Sequence, residues 1–262
     1  MTQLISQFAQ FFPEINSVFN IGLMILMRLV GLMRLAPVFS RTEIPRQVRI
    51  SFAVIFTIIV IGLLKPQPIP SDCPLLFCMF INFCVGFMIG FVANTIFMAI
   101  FAAGDIINTQ MGLQSATQMD PSQHTQTTIM SRYFTFLGVL IFIYSGGIYW
   151  LLNSFIKSFE YFPMYSTNFH FEKVFNIQLL VDITSNIMFV GMQIAAPIVL
   201  ATLGQDLILG IISKTSNQQI NVFQLSFLFK PILGAFILIV ILPMLINVIT
   251  NYLVSYAGIF QF

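Results

Sequence analysis

Long apolar runs separated by polar segments dominate this sequence. Each run is long enough for a membrane-spanning helix, which needs about 20 residues. The backbone N–H and C=O groups of a segment in lipid must bond within that segment, so such runs are predicted to be α-helical. Six runs are present, at residues 17–39, 48–64, 75–107, 129–159, 178–213 and 224–254. The pattern predicts an all-α protein with about six helices, or three hairpins.

Several of these runs are longer than a bilayer requires. As one helix, residues 75–107 would extend about 50 Å, beyond a hydrocarbon core of about 30 Å. Proline kinks a helix, and paired glycines let two helix backbones approach closely. Such residues are predicted to punctuate the runs, at Gly86, Gly90, Gly138, Gly146, Gly147, Gly191, Pro197, Pro231 and Pro243. Long, kinked helices favour packing against other subunits, although tilt in the bilayer also accommodates long runs.

Composition strengthens the membrane assignment. Of the 262 residues, 58% are hydrophobic and 8% are charged, whereas a soluble domain carries about 25% charged residues. The net charge is +2 without a basic tail, so nucleic acid is not an expected partner. The three cysteines, Cys73, Cys78 and Cys84, match no zinc or redox spacing. They are predicted to be inert buried thiols.

Enzyme chemistry finds no support in the sequence. His124 and His170 stand in polar segments without a cluster of metal-ligating residues around them. The chain contains no GxSxG, HExxH or phosphate-binding glycine loop. We therefore expect no catalytic site, no metal and no cofactor.

Charged residues within the apolar runs are the first candidates for function, because charge at membrane depth usually faces protein or water. Among them are Arg28, Arg34, Asp105, Asp182, Asp206 and Lys230. Asp206 and Lys230 lie at similar distances before and after the turn between the last two runs, so an antiparallel hairpin brings them to the same depth. A buried ion pair there would serve either as a proton or ion relay or as structural neutralisation. The second interpretation is favoured, because a relay usually needs a chain of acidic groups.

The segment 108–128 differs from the other connections, since it is long, polar and nearly uncharged. Methionines offer flexible apolar contacts, and glycines permit tight backbone geometries. These properties suit a compliant seal across an aqueous passage. An ordinary surface loop is the interpretation that the residues alone favour.

The chain resembles the FliR family of the flagellar protein-export apparatus, whose injectisome relatives are the SctT proteins. The resemblance is an ordered set of short segments along nearly the whole chain. It departs at residues 214–220, where the family usually has arginine and a proline before the glutamine. The matching segments are RLAP at 34–37, IPRQVRI at 44–50, AGDII at 103–107, QMG at 110–112, DP at 120–121, SF at 158–159 with Pro163, AP at 196–197, DLILGIIS at 206–213 and QINVF at 219–223.

The resemblance implies a single-copy, non-enzymatic subunit of an export gate. In that gate such a protein assembles with five copies of FliP, about four of FliQ, and FlhB, forming a pore for unfolded export substrates in the bacterial inner membrane, within the flagellar basal body. Residues 1–175 would be a FliP-like portion, and 176–262 a FliQ-like helical hairpin. The family's pore plug would correspond to Gln110, Met111, Gly112, Leu113, Met119, Asp120 and Pro121, with the two methionines pressing into the lumen.

Two alternatives stay open at this point. A virulence-type injectisome gate subunit would have the same layout, although Asp120 and Pro121 and the motifs of the closing hairpin favour the flagellar system. A small-solute secondary transporter would use broken helices and charges near the midplane. Activity of the isolated chain in liposomes would distinguish a transporter from a gate subunit.

Overall fold

Helices account for nearly all of the structure. A computed structural model describes residues 2–41, 44–63, 74–114, 128–165, 177–215 and 222–259. Over these ranges the chain forms helices joined by turns and contains no strand. The helices are α1 (Thr2–Leu35), α2 (Arg46–Leu63), α3 (Leu75–Gln110), α4 (Ile129–Tyr144), α5 (Gly147–Tyr161), α6 (Ile177–Thr215) and α7 (Val222–Ile259).

The helices agree with the apolar runs and with the predicted fold class. Five are long and apolar enough to cross a membrane, and a sixth span results if α4 and α5 are counted as one bent segment. The protein is therefore an all-α membrane protein. One boundary differs clearly: α1 begins at Thr2, about 15 residues before the first run. Apolar residues continue there at helical spacing, but they are too interrupted by polar residues to indicate a membrane span.

Glycine interrupts only one of the runs. Helices α4 and α5 meet at an angle of 68°, and the turn between them places Gly146 at φ +77°. That left-handed conformation is routinely available only to glycine among the common residues. Gly86 and Gly90, in contrast, lie inside the continuous helix α3. The prediction that glycines punctuate the runs is therefore confirmed for the fourth run and wrong for the third.

The chain divides into two compact units that alternate along the sequence. The first contains Met1–Asn94, Ile148–Leu180 and Gly258–Phe262, and the second contains Thr95–Gly147 and Val181–Ala257. Helix α3 contributes its first part to one unit and its second part to the other. The proposed division near residue 175 concerns likeness to other subunits, so it stays a prediction.

In the first unit, α1 and α3 cross with their backbones in direct apposition. A Cβ at Gly31 would collide with the carbonyl oxygen of Phe83, and one at Gly86 would collide with that of Arg28. A Cβ at Gly90 would lie 2.5 Å from the Leu32 oxygen, closer than real Cβ contacts allow. The close packing suggested by the spacing of Gly86 and Gly90 is therefore present, and it joins two helices of the same chain.

Arg28 is the most unusual buried group of this unit, because it is 1% exposed. Its guanidinium donates to Asn82 Oδ1 from Nε (3.0 Å) and from Nη2 (2.7 Å). It also donates to Ser158 Oγ (3.0 Å) and to the Phe162 carbonyl oxygen (2.8 Å), and it stacks 4.1 Å from the centroid of the Phe159 ring. The partners lie on α3 and at the carboxyl end of α5, so this one side chain joins α1 to both.

The cysteines are of two kinds. Cys84 is a half-buried free thiol, whereas Cys78 is disulfide-bonded. The prediction of inert thiols is therefore wrong for Cys78, and Cys73 lies outside the described residues.

Arg28→Met is expected to destabilise the protein by about 3 kcal/mol, because it leaves buried acceptors of Asn82, Ser158 and Phe162 without a donor. The control is Arg34→Met, which removes an exposed arginine from the same helix. Protease resistance and accumulation in the membrane fraction provide the measurement. Equal behaviour of the two variants would show that the Arg28 contacts do not stabilise the fold.

Candidate functional site

The residues predicted to form a plug begin at the carboxyl end of α3. Gln110 is the last residue of that helix, and Met111, Gly112 and Leu113 form the turn that follows. The predicted loop 108–128 therefore begins three residues too early, since Asn108 and Thr109 are also helical. The other predicted plug residues, Met119, Asp120 and Pro121, lie outside the described residues, as do His124 and His170.

Helix α3 ends in a Schellman motif. The Gly112 N–H donates to the Thr109 carbonyl (3.1 Å), and the Leu113 N–H donates to the Asn108 carbonyl (3.1 Å). Gly112 has φ +70°, as the left-handed position of this motif requires. Gly112 is thus a helix stop with a defined conformation, and the path of the backbone is fixed through Leu113.

The far end of the segment is also anchored on α3. Thr128 caps helix α4 by accepting a hydrogen bond from the Ser131 N–H (3.3 Å). The Ser131 hydroxyl in turn donates to the Phe101 carbonyl (3.1 Å). Gly104 allows this approach, because a Cβ there would lie 2.5 Å from the Ser131 Cα. The described residues that flank 115–127 on both sides are therefore held on α3.

Helix α6 runs parallel to α3 at this end of the second unit. A Cβ at Gly191 would lie 3.2 Å from the Ala99 carbonyl oxygen. Two to three turns further along both helices, the Thr202 hydroxyl donates to the Gln110 side-chain oxygen (3.3 Å). From the first contact to the second, the residue numbers increase along both helices, so the two helices are parallel. The side chain of Gln110 is thereby bound to α6.

Met111 lies in a notch on α7. Its side chain is 2% exposed, and a Cβ at Gly234 would lie 2.6 Å from Met111 Cγ and 2.9 Å from Cε. Any residue other than glycine at position 234 would displace this side chain. Phe227, two turns earlier on α7, lies beside Gly112, at 3.9 Å from where a Cβ would be. In this structure the Met111 side chain is therefore packed against α7, and its predicted contact with a pore lumen stays a prediction.

The predicted ion pair lies next to this notch. Lys230 Nζ is 2.8 Å from Asp206 Oδ2, and Ser226 Oγ donates to Asp206 Oδ1 (3.1 Å). The side chains of Lys230 and Asp206 are 23% and 41% exposed. The pair is therefore partly exposed in the chain, whereas the hairpin argument placed it in a buried position. With two charges of opposite sign in contact, structural neutralisation is the role that this geometry supports.

The two predicted sites are adjacent in the structure. Asp206 follows Thr202 by one helical turn on α6, and Lys230 precedes Gly234 by one turn on α7. The ion pair thus joins α6 to α7 one turn from the level at which Gln110 and Met111 contact these helices. We call this set of contacts, formed by Gln110, Met111, Thr202, Gly234 and the pair Asp206–Lys230, the loop anchor.

Two buried carboxamides lie at the same end of the unit. Asn108 is 0% exposed and Gln205 is 8% exposed. Neither side chain has a hydrogen-bond partner within the described ranges. A buried polar group without a partner is unfavourable by roughly 1–3 kcal/mol. The loop anchor therefore combines favourable contacts with locally unfavourable ones.

Sequence reasoning missed Thr202, Gly234 and Phe227 as parts of this site. Spacing offered a signal, because Thr202 and Gly234 each stand four residues from a member of the predicted ion pair. Residues four apart lie on one face of a helix, so an ion pair between α6 and α7 places both of them near it. The contact of Gly234 with Met111 had no such signal, since it depends on where α3 packs.

The loop anchor has the chemistry of a mechanical contact. It consists of one neutral carboxamide, a hydroxyl, a thioether, a glycine and one neutralised charge pair. Within the part of the chain that the structure describes, no three His, Cys, Asp or Glu side chains are grouped to hold a metal ion. What the arrangement can do is hold a connecting segment in one position.

For the ion pair, Asp206→Ala and Lys230→Ala are each expected to destabilise the protein by about 1 kcal/mol, because partial exposure weakens the pair. Exchanging the two charges should recover part of the loss. Thermal unfolding of detergent-solubilised protein is the measurement, with the exposed Lys214→Ala as control. If the exchanged variant is less stable than both single variants, the two side chains do not act as a pair.

Comparison with known proteins assigns the chain to a family. The model of the family described as bacterial export proteins, family 1, matches residues 19–255. The flagellar biosynthetic protein FliR of Escherichia coli is 25% identical over 224 residues, covering 84% of this chain and 83% of that protein. FliR of Bacillus subtilis is 27% identical over 242 residues, covering 91% and 92%. The surface presentation of antigens protein SpaR of Shigella flexneri is 26% identical over 164 residues, covering 63% and 62%.

The family match covers all the helices that carry the loop anchor, including both members of the ion pair. The apolar helices agree with a location in the bacterial inner membrane. The chain belongs to family 1 of the bacterial export proteins, the FliR family, and is a membrane subunit of a flagellar-type protein-export apparatus.

Proposed function

We propose that this protein is a non-enzymatic subunit of the flagellar type III export gate, where it forms part of the pore through which unfolded flagellar proteins cross the inner membrane. The observation that carries the proposal is the family match over residues 19–255. The gate would lie within the flagellar basal body. Its other subunits would be FliP-like, FliQ-like and FlhB-like, and this chain would be present once.

The extent of the similarities favours the flagellar system over a virulence injectisome. The FliR proteins of Escherichia coli and Bacillus subtilis align with 84% and 91% of this chain. SpaR of Shigella flexneri aligns with 63%. The injectisome gate subunit stays the second candidate, since its percentage identity is similar.

Uncovered apolar surface supports assembly with other subunits. Only 17% of the residues in each of the spans Arg46–Leu63 and Gln224–Tyr252 are buried within the chain. Helices α3, α6 and α7 contain 36, 39 and 38 residues, which corresponds to about 54–58 Å each. A hydrocarbon core of about 30 Å covers roughly half of that length. The remaining apolar surface requires protein neighbours, because water would be unfavourable there.

Polar groups on the outside of the spans support a passage for water or polypeptide. Asp105 is exposed on α3, and Asp206 is 41% exposed on α6. Charged groups within spans usually face a bundle interior or a water-filled cavity, because lipid does not solvate them. A pore subunit has a side that faces a water-filled cavity, whereas a chain surrounded by lipid has none.

The anchored segment supports the role of a seal. Residues 110–121 begin at the loop anchor, and the segment returns to α3 at Thr128 and Ser131. The described residues on both sides of 115–127 are thus held on one helix. We propose that the part between them, with Met119, closes the resting pore, because apolar side chains in a narrow lumen block ions by excluding water.

The proposal predicts obligate assembly. Expressed alone, the chain is expected to be heterogeneous in detergent, and co-expression with FliP-like and FliQ-like subunits should give a defined complex. Size-exclusion chromatography with light scattering measures this. A monodisperse monomer that transports small solutes in liposomes would instead establish the secondary transporter.

The seal predicts a leak without a loss of export. Shortening the segment between Gln114 and Thr128, or changing Met119→Ser, should raise the conductance of the resting complex in planar bilayers. Export should persist, since the segment must move aside for substrates. The control replaces the same residues by a glycine–serine linker of equal length, which should leak as well if apolar side chains are what excludes water. Unchanged conductance of an assembled shortened variant would place the seal on another subunit.

A further inference from the structure

Met111 is one of the predicted plug residues that the structure describes, and its side chain is buried. Its 2% exposure and its contact with Gly234 place the side chain inside the second unit. A residue in that position can act on a seal only by holding the segment that follows. The position of Met111 therefore raises the question of what fixes the resting position of the proposed seal.

The contacts around Met111 fix both the backbone and the side chains at the start of the segment. The Schellman motif sets the direction in which the chain leaves α3, through Gly112 and Leu113. Thr202 holds Gln110 on α6, and Gly234 receives Met111 on α7. Helix α3 thus contacts α6 and α7 through two consecutive residues, Gln110 and Met111, just before the segment begins.

Gly234 is the element of this contact that can be changed most cleanly. Its missing side chain makes the notch, since Cγ, Cε and Sδ of Met111 would all lie within 3.0 Å of an added Cβ. Methionine suits such a notch because its unbranched chain enters and leaves by rotation about its own bonds. The ion pair Asp206–Lys230, one turn away, holds α6 and α7 together at this level.

We call the position in which Met111 lies in the notch on α7 the docked position. It also contains opposing contributions. Asn108 and Gln205 are buried beside it without hydrogen-bond partners among the described residues. Undocking the end of α3 would admit water to these carboxamides and satisfy them. Burial of Met111 favours the docked position, and the two carboxamides oppose it.

We propose that Met111 and Gly234 form a latch that positions the seal in the resting gate and is released when a substrate passes. Both are positioning residues, because they act through the segment that follows Met111. The inference rests on the proposed function and deepens it, since it assigns the resting position of the seal to one contact within this chain.

Gly234→Ala tests the latch directly. The added Cβ displaces Met111, and overpacking of this kind should increase the undocked fraction by about tenfold. The conductance of the resting complex, co-expressed with its partner subunits, should rise in proportion while export persists. The matched control is Gly210→Ala on α6, where a Cβ would meet no described atom within 4 Å, and this variant should stay sealed. A sealed Gly234→Ala complex would overturn the latch.

Met111→Ala provides a second variant that needs no extra space in the structure. It should leak like Gly234→Ala, and the double variant should leak no more than Met111→Ala alone, because both changes remove the same contact. Leaks that add independently would mean that the two residues do not form one latch. This comparison holds even if Gly234→Ala assembles poorly.

A disulfide tests the release of the latch. The position of Met111 Cγ, 2.6 Å from an added Cβ at Gly234, is close enough for a bridge after Met111→Cys and Gly234→Cys. The oxidised complex should stay sealed and lose export, and a reductant should restore export. Normal export with the bridge formed would show that the latch does not open.

The shortened segment described above distinguishes the two proposals when it is measured beside these variants. If the shortened segment leaks and Gly234→Ala does not, the seal stands and the latch fails. If the shortened segment does not leak, the seal itself fails, and the latch fails with it.

Discussion

A buried guanidinium determines how the first unit packs. Arg28 has fixed planar geometry and donors that point in several directions, so it demands acceptors at defined positions. Asn82, Ser158 and Phe162 supply them from two other elements. In the described ranges no carboxylate pairs with this cation, and the charge is balanced by neutral oxygens, an aromatic face and the carboxyl end of α5. Helix carbonyls at that end carry partial negative charge.

This arrangement has few alternatives, since an apolar interior offers no other partners. Asn82 uses its amide group as well, donating to the carbonyls of Cys78 (2.8 Å) and Met164 (3.1 Å). A shift of one helix relative to another would leave several of these groups unsatisfied together. Apolar contacts alone tolerate sliding, because they lack direction. The polar contacts and the backbone crossing at Gly31 and Gly86 thus give the unit one specific register.

Local pattern was sufficient to predict much of this structure. The apolar runs predicted the spans because hydrocarbon thickness and backbone hydrogen bonding leave few options. Matched depth on a hairpin brought Asp206 and Lys230 together, since only residues 216–221 separate their helices along the chain. The same reasoning failed for glycine: Gly146 breaks a span, whereas Gly86 packs inside a helix. Both roles depend on the absence of a Cβ. The residues packed around each glycine determine whether it breaks a helix or allows two helices to approach closely.

Contacts between distant parts of the chain could not be predicted in this way. The partners of Arg28 lie 54 and 130 residues away, and no periodicity relates them. Gln110 and Thr202 are 92 residues apart, and they meet because α3 and α6 are parallel. The resemblance to a family indicated residues 110–121 as important, but it did not predict that Met111 packs against α7. Its burial follows from a missing side chain on α7, which the sequence around Met111 does not reveal.

The parallel arrangement of α3 and α6 has a consequence for biosynthesis. Two neighbouring parallel helices require the chain to travel back along their length, and α4 and α5 lie between them in sequence. A ribosome therefore releases the end of α3 long before α6 and α7 exist to receive it. During translation Met111 has no notch, and the segment after it has no fixed place. Only a chain synthesised through α7 can complete the contact, so a product truncated before α7 cannot bury Met111 in this way.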